Sequence, residues 1–112
     1  MNAQDLMVGN WVLFDGWPFK VIGLEKHDVR LDGHLFQSYE EIEPVPLTDE
    51  ILQKHFPDTT DGVIWHPTNN PGKYEIIIPH KADRGETSCY INYVHELQQI
   101  LKICGIKKDI EL

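Results

Sequence analysis

Six histidines (His27, His34, His55, His66, His80, His95) and two cysteines (Cys89, Cys104) carry the side chains of this 112-residue chain best suited to hold a metal or attack a carbonyl. Neutral imidazole and thiolate are common ligands for zinc and other transition metals. A structural zinc site draws its ligands from short spacings, and this chain contains neither Cys-x-x-Cys nor His-x-x-x-His. The histidines therefore read as dispersed surface or half-buried side chains, and no metal or cofactor is expected. A cysteine nucleophile needs a neighbouring base and electropositive surroundings. Cys104 falls on the apolar stripe of a predicted helix, where a thiol is an inert small hydrophobe. Cys89, for which His66 or His95 would be the base, reads first as a buried strand residue. Carboxylate pairs such as Glu40/Glu41 and Asp49/Glu50 do acid–base work only inside a cleft. The second pair already has a role at a helix N-terminus. The chain also lacks a Gly-rich phosphate loop, a Ser-based triad motif and a dinucleotide fingerprint. The reading favours a non-enzymatic protein.

Binding is then the chemistry left to consider, and charge narrows it. The net charge is −8, and residues 40–61 alone contribute −6 through Glu40, Glu41, Glu43, Asp49, Glu50, Asp58 and Asp61 against Lys54. Such a segment repels phosphate backbones, which argues against broad nucleic-acid binding, and it reads first as a solvated acidic surface that keeps the protein soluble. Trp11, Phe14, Trp17, Phe19 and Phe36 cluster early in the chain. Most are needed to fill a small core, while Trp17, just after a hairpin turn and before Pro18, is expected to be exposed. Trp65 with His66, and Tyr93 with His95, form a second patch. The candidate interaction surface is Trp17, Glu40, Glu41, Glu43, Trp65, His66, Tyr93 and His95. A protein partner ranks ahead of nucleic acid, which would have to stack on the early aromatics beside Lys20, Lys26 and Arg30.

Short strands and tight turns must position these groups. Residues 10–14 are rich in β-formers, and Asp15-Gly16 suits the left-handed conformations of a type I′ hairpin turn. Residues 19–24 return, residues 28–31 follow, and a second Asp-Gly pair at 32–33 leads to residues 35–38. Residues 41–44 close the set, giving an antiparallel meander or SH3-like barrel over residues 1–46. Pro44 and Pro46 hold the chain extended. Thr48 then caps a helix from Asp49 to about His55, with Leu47 and Leu52 at the spacing of a hydrophobic staple and Pro57 as the stop. Residues 58–62 are turn chemistry. Strands are expected at 63–66, 74–78 and 88–91, with a polar loop at 81–86. The last helix starts near Asn92, carries Val94, Leu97, Leu101 and Cys104 on one stripe, and stops at Gly105. The fold class is α+β, with residues 1–46 and 47–112 as two subdomains packed as one unit. The apolar strand at 74–78 offers an edge for a homodimer. No stretch approaches the roughly 20 apolar residues of a membrane span, two thiols in this setting read as reduced rather than bridged, and a cytoplasmic location is expected.

Three stretches carry a resemblance: Val8-Gly9-Asn10-Trp11-Val12, the run from Ile42-Glu43-Pro44-Val45-Pro46-Leu47-Thr48-Asp49-Glu50 through Ile51-Leu52, and Tyr93-Val94-His95-Glu96-Leu97-Gln98. Together they resemble a family of small uncharacterised Bacteroidetes proteins, often associated with prophages or other mobile elements. This chain has His55-Phe56 where that family tends to have Gly-Phe, and its last helix lacks the usual aromatics near its end. The resemblance implies a bacterial accessory protein of a mobile element and carries no reaction, cofactor or catalytic residue.

Overall fold

Asp15 and Gly16, with φ of 53° and 79°, turn the chain through the left-handed region and join the first two strands, β1 (Trp11–Phe14) and β2 (Trp17–Leu24). Two consecutive positive φ values are what a type I′ turn requires, and they match the right-handed twist of the paired strands. The computed structural model describes residues 1–33, 35–57, 62–80 and 84–112. His34, the predicted turn at 58–61 and the first part of the polar loop, 81–83, lie outside the described residues. The chain divides into two units, Met1–Val45 with Tyr93–Gln99 and Pro46–Asn92 with Ile100–Leu112.

In the first unit β3 (Asp28–Leu31) and β4 (Leu35–Ser38) continue the meander, a 3-10 turn (Tyr39–Glu41) follows, and β5 (Ile42–Pro44) pairs with β1. The sheet is antiparallel, in the order β4-β3-β2-β1-β5. It is not closed into a barrel: β4 and β5 are its two edges. A register shift between Val21 and Gly23 marks an irregularity in β2, whose first half pairs with β1 and second half with β3. Such a bulge increases local twist and bends the strand. Leu6, Val12, Val21, Val29, Leu31 and Ile42 form the buried cluster, with Phe14 and Phe19 packed against it edge to face. Trp17 and Phe36, in contrast, stand in solvent. The aromatics that sequence grouped together thus divide between core and surface.

The start of the second helix, α2 (Val94–Ile103), belongs to this unit through two glutamine amides. Gln98 accepts the Trp11 N–H at 2.8 Å and donates to the Gly9 carbonyl at 2.8 Å, completing backbone groups that the sheet leaves open. Gln99 donates to the Asp5 carbonyl at 2.8 Å and to Asn10 Oδ1 at 3.0 Å. The buried Asn10 also accepts the Met7 N–H. A buried backbone group without such a partner is costly. These bonds therefore join two of the three stretches on which the resemblance rests.

The second unit opens with α1 (Asp49–His55), which Thr48 caps by accepting the Ile51 N–H at 3.3 Å, with Leu47 and Leu52 both buried. Three antiparallel strands follow, β6 (Ile64–Pro67), β7 (Tyr74–Pro79) and β8 (Glu86–Ile91), in the order β6-β7-β8. Pro67 ends β6 inside the strand rather than stopping it beforehand, because β6 is an edge where a missing N–H is tolerated. Tyr74, Ile76 and Ile78 alternate into the core from β7. Since β7 is flanked on both sides, it has no open edge, and the dimer route through residues 74–78 is corrected; β6 and β8 are the edges of this sheet. At the end of α2, the Ile106 N–H reaches the Leu101 carbonyl at 2.9 Å and the Gly105 N–H the Lys102 carbonyl at 3.1 Å. With Gly105 at φ 73° this is a Schellman stop. Cys104 lies past the last helical turn, and both cysteines are half-buried thiols rather than core residues. Among the described residues no helix is long and apolar enough to cross a membrane.

Candidate functional site

Pairing of β5 with β1 sets Glu43 opposite Leu13 and Ile42 opposite Phe14. Because side chains alternate across a strand, Ile42 enters the core while Glu43 faces outward. At the hairpin end of this pair is an open cleft of about 410 Å³, lined by Leu13, Phe14, Asp15, Gly16, Glu41 and Glu43. Three acidic residues therefore line one depression together with Leu13 and Phe14. Glu41 is oriented by the Ser38 hydroxyl, which donates to it at 3.0 Å. Trp17 follows Gly16 directly and is 70 % exposed, well beyond what a core tryptophan shows. Of the four predicted residues in this region, Glu41 and Glu43 share the cleft, Trp17 stands next to its rim in the chain, and Glu40 is exposed on the 3-10 turn outside the lining. Asp15 was not among the predicted site residues. Its role as a turn former hid it, since hairpin chemistry accounts for an Asp-Gly pair without any site.

A second cleft of about 400 Å³ belongs to the same unit, where Pro44, Tyr93, His95, Glu96 and Gln99 meet the N-terminal segment at Asp5. His95 is only 6 % exposed and its Nδ1 has no hydrogen-bond partner. The Tyr93 ring stacks on the imidazole, centroids 5.8 Å apart and planes 14° from parallel. Burial pushes the His95 pKa below its ordinary value, while the negative charges of Glu96 and Asp5 pull the other way. The predicted pair Tyr93 and His95 thus comes together. Asp5, ninety residues away in sequence, and Gln99, on the same helix but in no motif, were invisible as members.

The other predicted patch separates into one structural and one exposed residue. Trp65 is half-buried, its Nε1–H donates to the Phe56 carbonyl at 2.9 Å, and its ring meets Tyr74 edge-on. His66 is exposed on the edge strand. Among the described residues His55 is the other buried histidine. Nδ1 lies 2.8 Å from the Ile51 carbonyl and Nε2 accepts the Glu111 N–H at 2.9 Å, which places the proton on Nδ1. Among the described residues no three His, Cys, Asp or Glu side chains converge as a metal set. Two cations near the aromatics are engaged within the unit: Lys20 lies over Trp11 and Arg30 over Phe36, each 5.3 Å from the ring centroid.

Comparison with protein-family models, curated proteins and solved structures yields no match for this chain.

Proposed function

We propose that this protein is a non-enzymatic interaction module that binds a basic segment of a protein partner at the hairpin cleft. The observation that carries the reading is Trp17, 70 % exposed in the chain position directly after a cleft lined by Asp15, Glu41 and Glu43. An exposed aromatic next in the chain to a cleft lined by acidic residues supports a partner that offers an apolar side chain together with a Lys or Arg. The layout of the unit supports an SH3-like reading, since a four-strand meander, a 3-10 turn and a fifth strand returning to β1 follow in that order. The resemblance to mobile-element proteins supports an accessory role in a bacterial cytoplasm. A nucleic-acid ligand on the aromatics of β1 to β4 is the competing reading. It is disfavoured by the acidic cleft and by Lys20 and Arg30 already lying on Trp11 and Phe36.

The test is capture of partners from bacterial lysate with and without nuclease, followed by affinity measurements on whatever protein is retained. Trp17→Ala, Glu41→Gln and Glu43→Gln are each expected to weaken a nuclease-resistant complex, the two glutamates more at low salt than at high. Binding unchanged in all three variants, or material lost on nuclease treatment, would overturn the proposal in favour of another surface or of nucleic acid.

A further inference from the structure

We propose that β8 is the edge through which two copies of this chain join, strand to strand across a two-fold axis. The edge lies within the second unit and does not depend on the hairpin cleft.

Hydrogen-bond alternation decides which backbone groups of β8 are open. The His80 N–H donates to the Gly85 carbonyl at 2.7 Å, which makes 80 and 85 a bonded pair, and in an antiparallel ladder every second pair is bonded. With Pro79 opposite Glu86 and Tyr74 opposite Ile91, it is Thr87, Cys89 and Ile91 that bond to β7. The N–H and C=O groups of Glu86, Ser88 and Tyr90 point the other way, off the sheet. The ladder to β6 agrees: the Thr68 N–H donates to the Lys73 carbonyl at 3.2 Å, so Glu75 and Ile77 of β7 bond to β6 and leave Ile76 and Ile78 for β8. Glu86, Ser88 and Tyr90 are all exposed.

Open edges invite pairing, and proteins blunt them with short strands, proline, lysine or bulges. β5 has three residues and ends on Pro44, while β4 has four. β6 also has four and carries Pro67, whose missing N–H falls on the open side. β8, in contrast, runs for six residues with no proline, no basic residue and an unbroken register.

A second copy fits this edge because its charges are laid out to complement themselves when reversed. An axis at Ser88 sets Ser88 against its own counterpart and Glu86 against the second copy's Tyr90, so every open residue finds a partner. Moved to Tyr90, the axis calls on the Asn92 carbonyl, which already accepts the Leu47 N–H at 2.9 Å. Moved to Glu86, it calls on Arg84, which leaves the extended region at φ 58°. Axes at Thr87 or Cys89 set one of the three open residues against those same two positions. Glu86, Ser88 and Tyr90 share the face opposite the buried Ile91. On that face Lys73 Nζ lies over the Tyr90 ring, 5.9 Å from its centroid. Within one copy Glu86 and Lys73 stand at opposite ends of the sheet, beside Pro79 and Tyr74. The axis brings each copy's Glu86 to the other's Tyr90 and Lys73. Glu75, the acid opposite Tyr90 on β7, is two strand spacings from that carboxylate, about 10 Å, with the tyrosine between them.

Sedimentation velocity of the whole chain over a concentration series tests this, together with amide hydrogen exchange at Ser88. A reversible monomer–dimer equilibrium is expected, with Ser88 exchange slowing as the dimer fills. Ser88→Pro removes an N–H that β7 does not use and should weaken association at least about tenfold. Glu86→Lys and Lys73→Glu should each weaken it about threefold, and the double reversal should restore it. Glu86→Lys also lowers the repulsion between copies that each carry −8, so weaker association there comes from the lost pair. Circular dichroism checks that Ser88→Pro is folded; if it is not, the charge reversals, which leave the backbone intact, decide the matter. The proposal is overturned if the chain sediments as a monomer at every concentration, or if folded Ser88→Pro dimerises like the native chain. It is equally overturned if the single reversals have no effect or the double reversal associates no better than they do.

Discussion

His55 and His95 are equally buried, each 6 % exposed, and they do opposite things. In one unit His55 bridges α1 to the chain end, Nδ1 toward the Ile51 carbonyl and Nε2 accepting the Glu111 N–H. In the other, His95 lines a cleft with Nδ1 unbonded. Two of the three tryptophans repeat the contrast. Trp65 directs its indole N–H to the Phe56 carbonyl, whereas Trp17 is left in solvent. Burial alone therefore does not mark a site. What separates a structural polar group from a functional candidate is whether its hydrogen-bonding capacity is met within the fold.

The comparison predicts its largest effect at His55. His55→Leu removes two bonds and orphans the Glu111 N–H, and should destabilise the protein by about 2–4 kcal/mol in chemical denaturation. A loss under about 0.5 kcal/mol would show that the bridge to the chain end contributes nothing. Next is the Tyr74 phenol, which donates to the Asp49 carboxylate. Burial, that hydrogen bond and the negative charge of Asp49 push its pKa from 10.0 up to about 12. The folded state holds this proton more tightly than the unfolded chain does, so its contribution is complete below pH 10 and disappears as pH rises toward 12. Stability curves from pH 9 upward should fall more steeply for the native chain than for Tyr74→Phe, and parallel curves would remove Tyr74 from the account.

Smaller effects sharpen the contrast from the other side. Gly105→Ala forces an alanine to φ 73° and should cost about 1 kcal/mol, read as a lower unfolding midpoint. His95→Leu should lie within about 0.5 kcal/mol of the native chain or above it, because no bond is lost with the imidazole. Its acid response provides a second reading. The native pKa is depressed, so the His95 contribution is present above the unfolded value of 6.5 and is lost as pH falls below it. His95→Leu should flatten that part of the acid limb. A destabilisation as large as that of His55→Leu would make both histidines structural and end the distinction.

Much of the local architecture was legible in the residues. The Asp-Gly turn, the Thr48 cap with its Leu47/Leu52 staple, the limits of β3, β4 and α1, and the glycine stop after α2 appear where turn and capping chemistry put them. Each depends on interactions within about six residues, so spacing suffices to read it. Of the two layouts read for the first sheet, meander or barrel, the open meander forms, and the strand read as a dimer edge, β7, is central, because neighbour choice among strands depends on the whole sheet and leaves little trace in any one strand. The candidate sites were half legible: Trp17, Glu41, Glu43, Tyr93 and His95 were named from type and position, while Asp5, Asp15 and Gln99 were not.

The residues themselves determined the acidic balance, the order of elements and the alternation that sends Val12, Ile42 and Ile76 inward. Tertiary structure alone decided that Gln98 would complete the backbone of Gly9 and Trp11, that Glu43 would stand opposite Leu13, and that Asp5 would meet His95. The physical reason is range. Propensity, capping and periodicity act between near neighbours. Whether a buried imidazole or a carboxylate finds a partner depends on groups up to ninety residues away, brought together only when the chain folds.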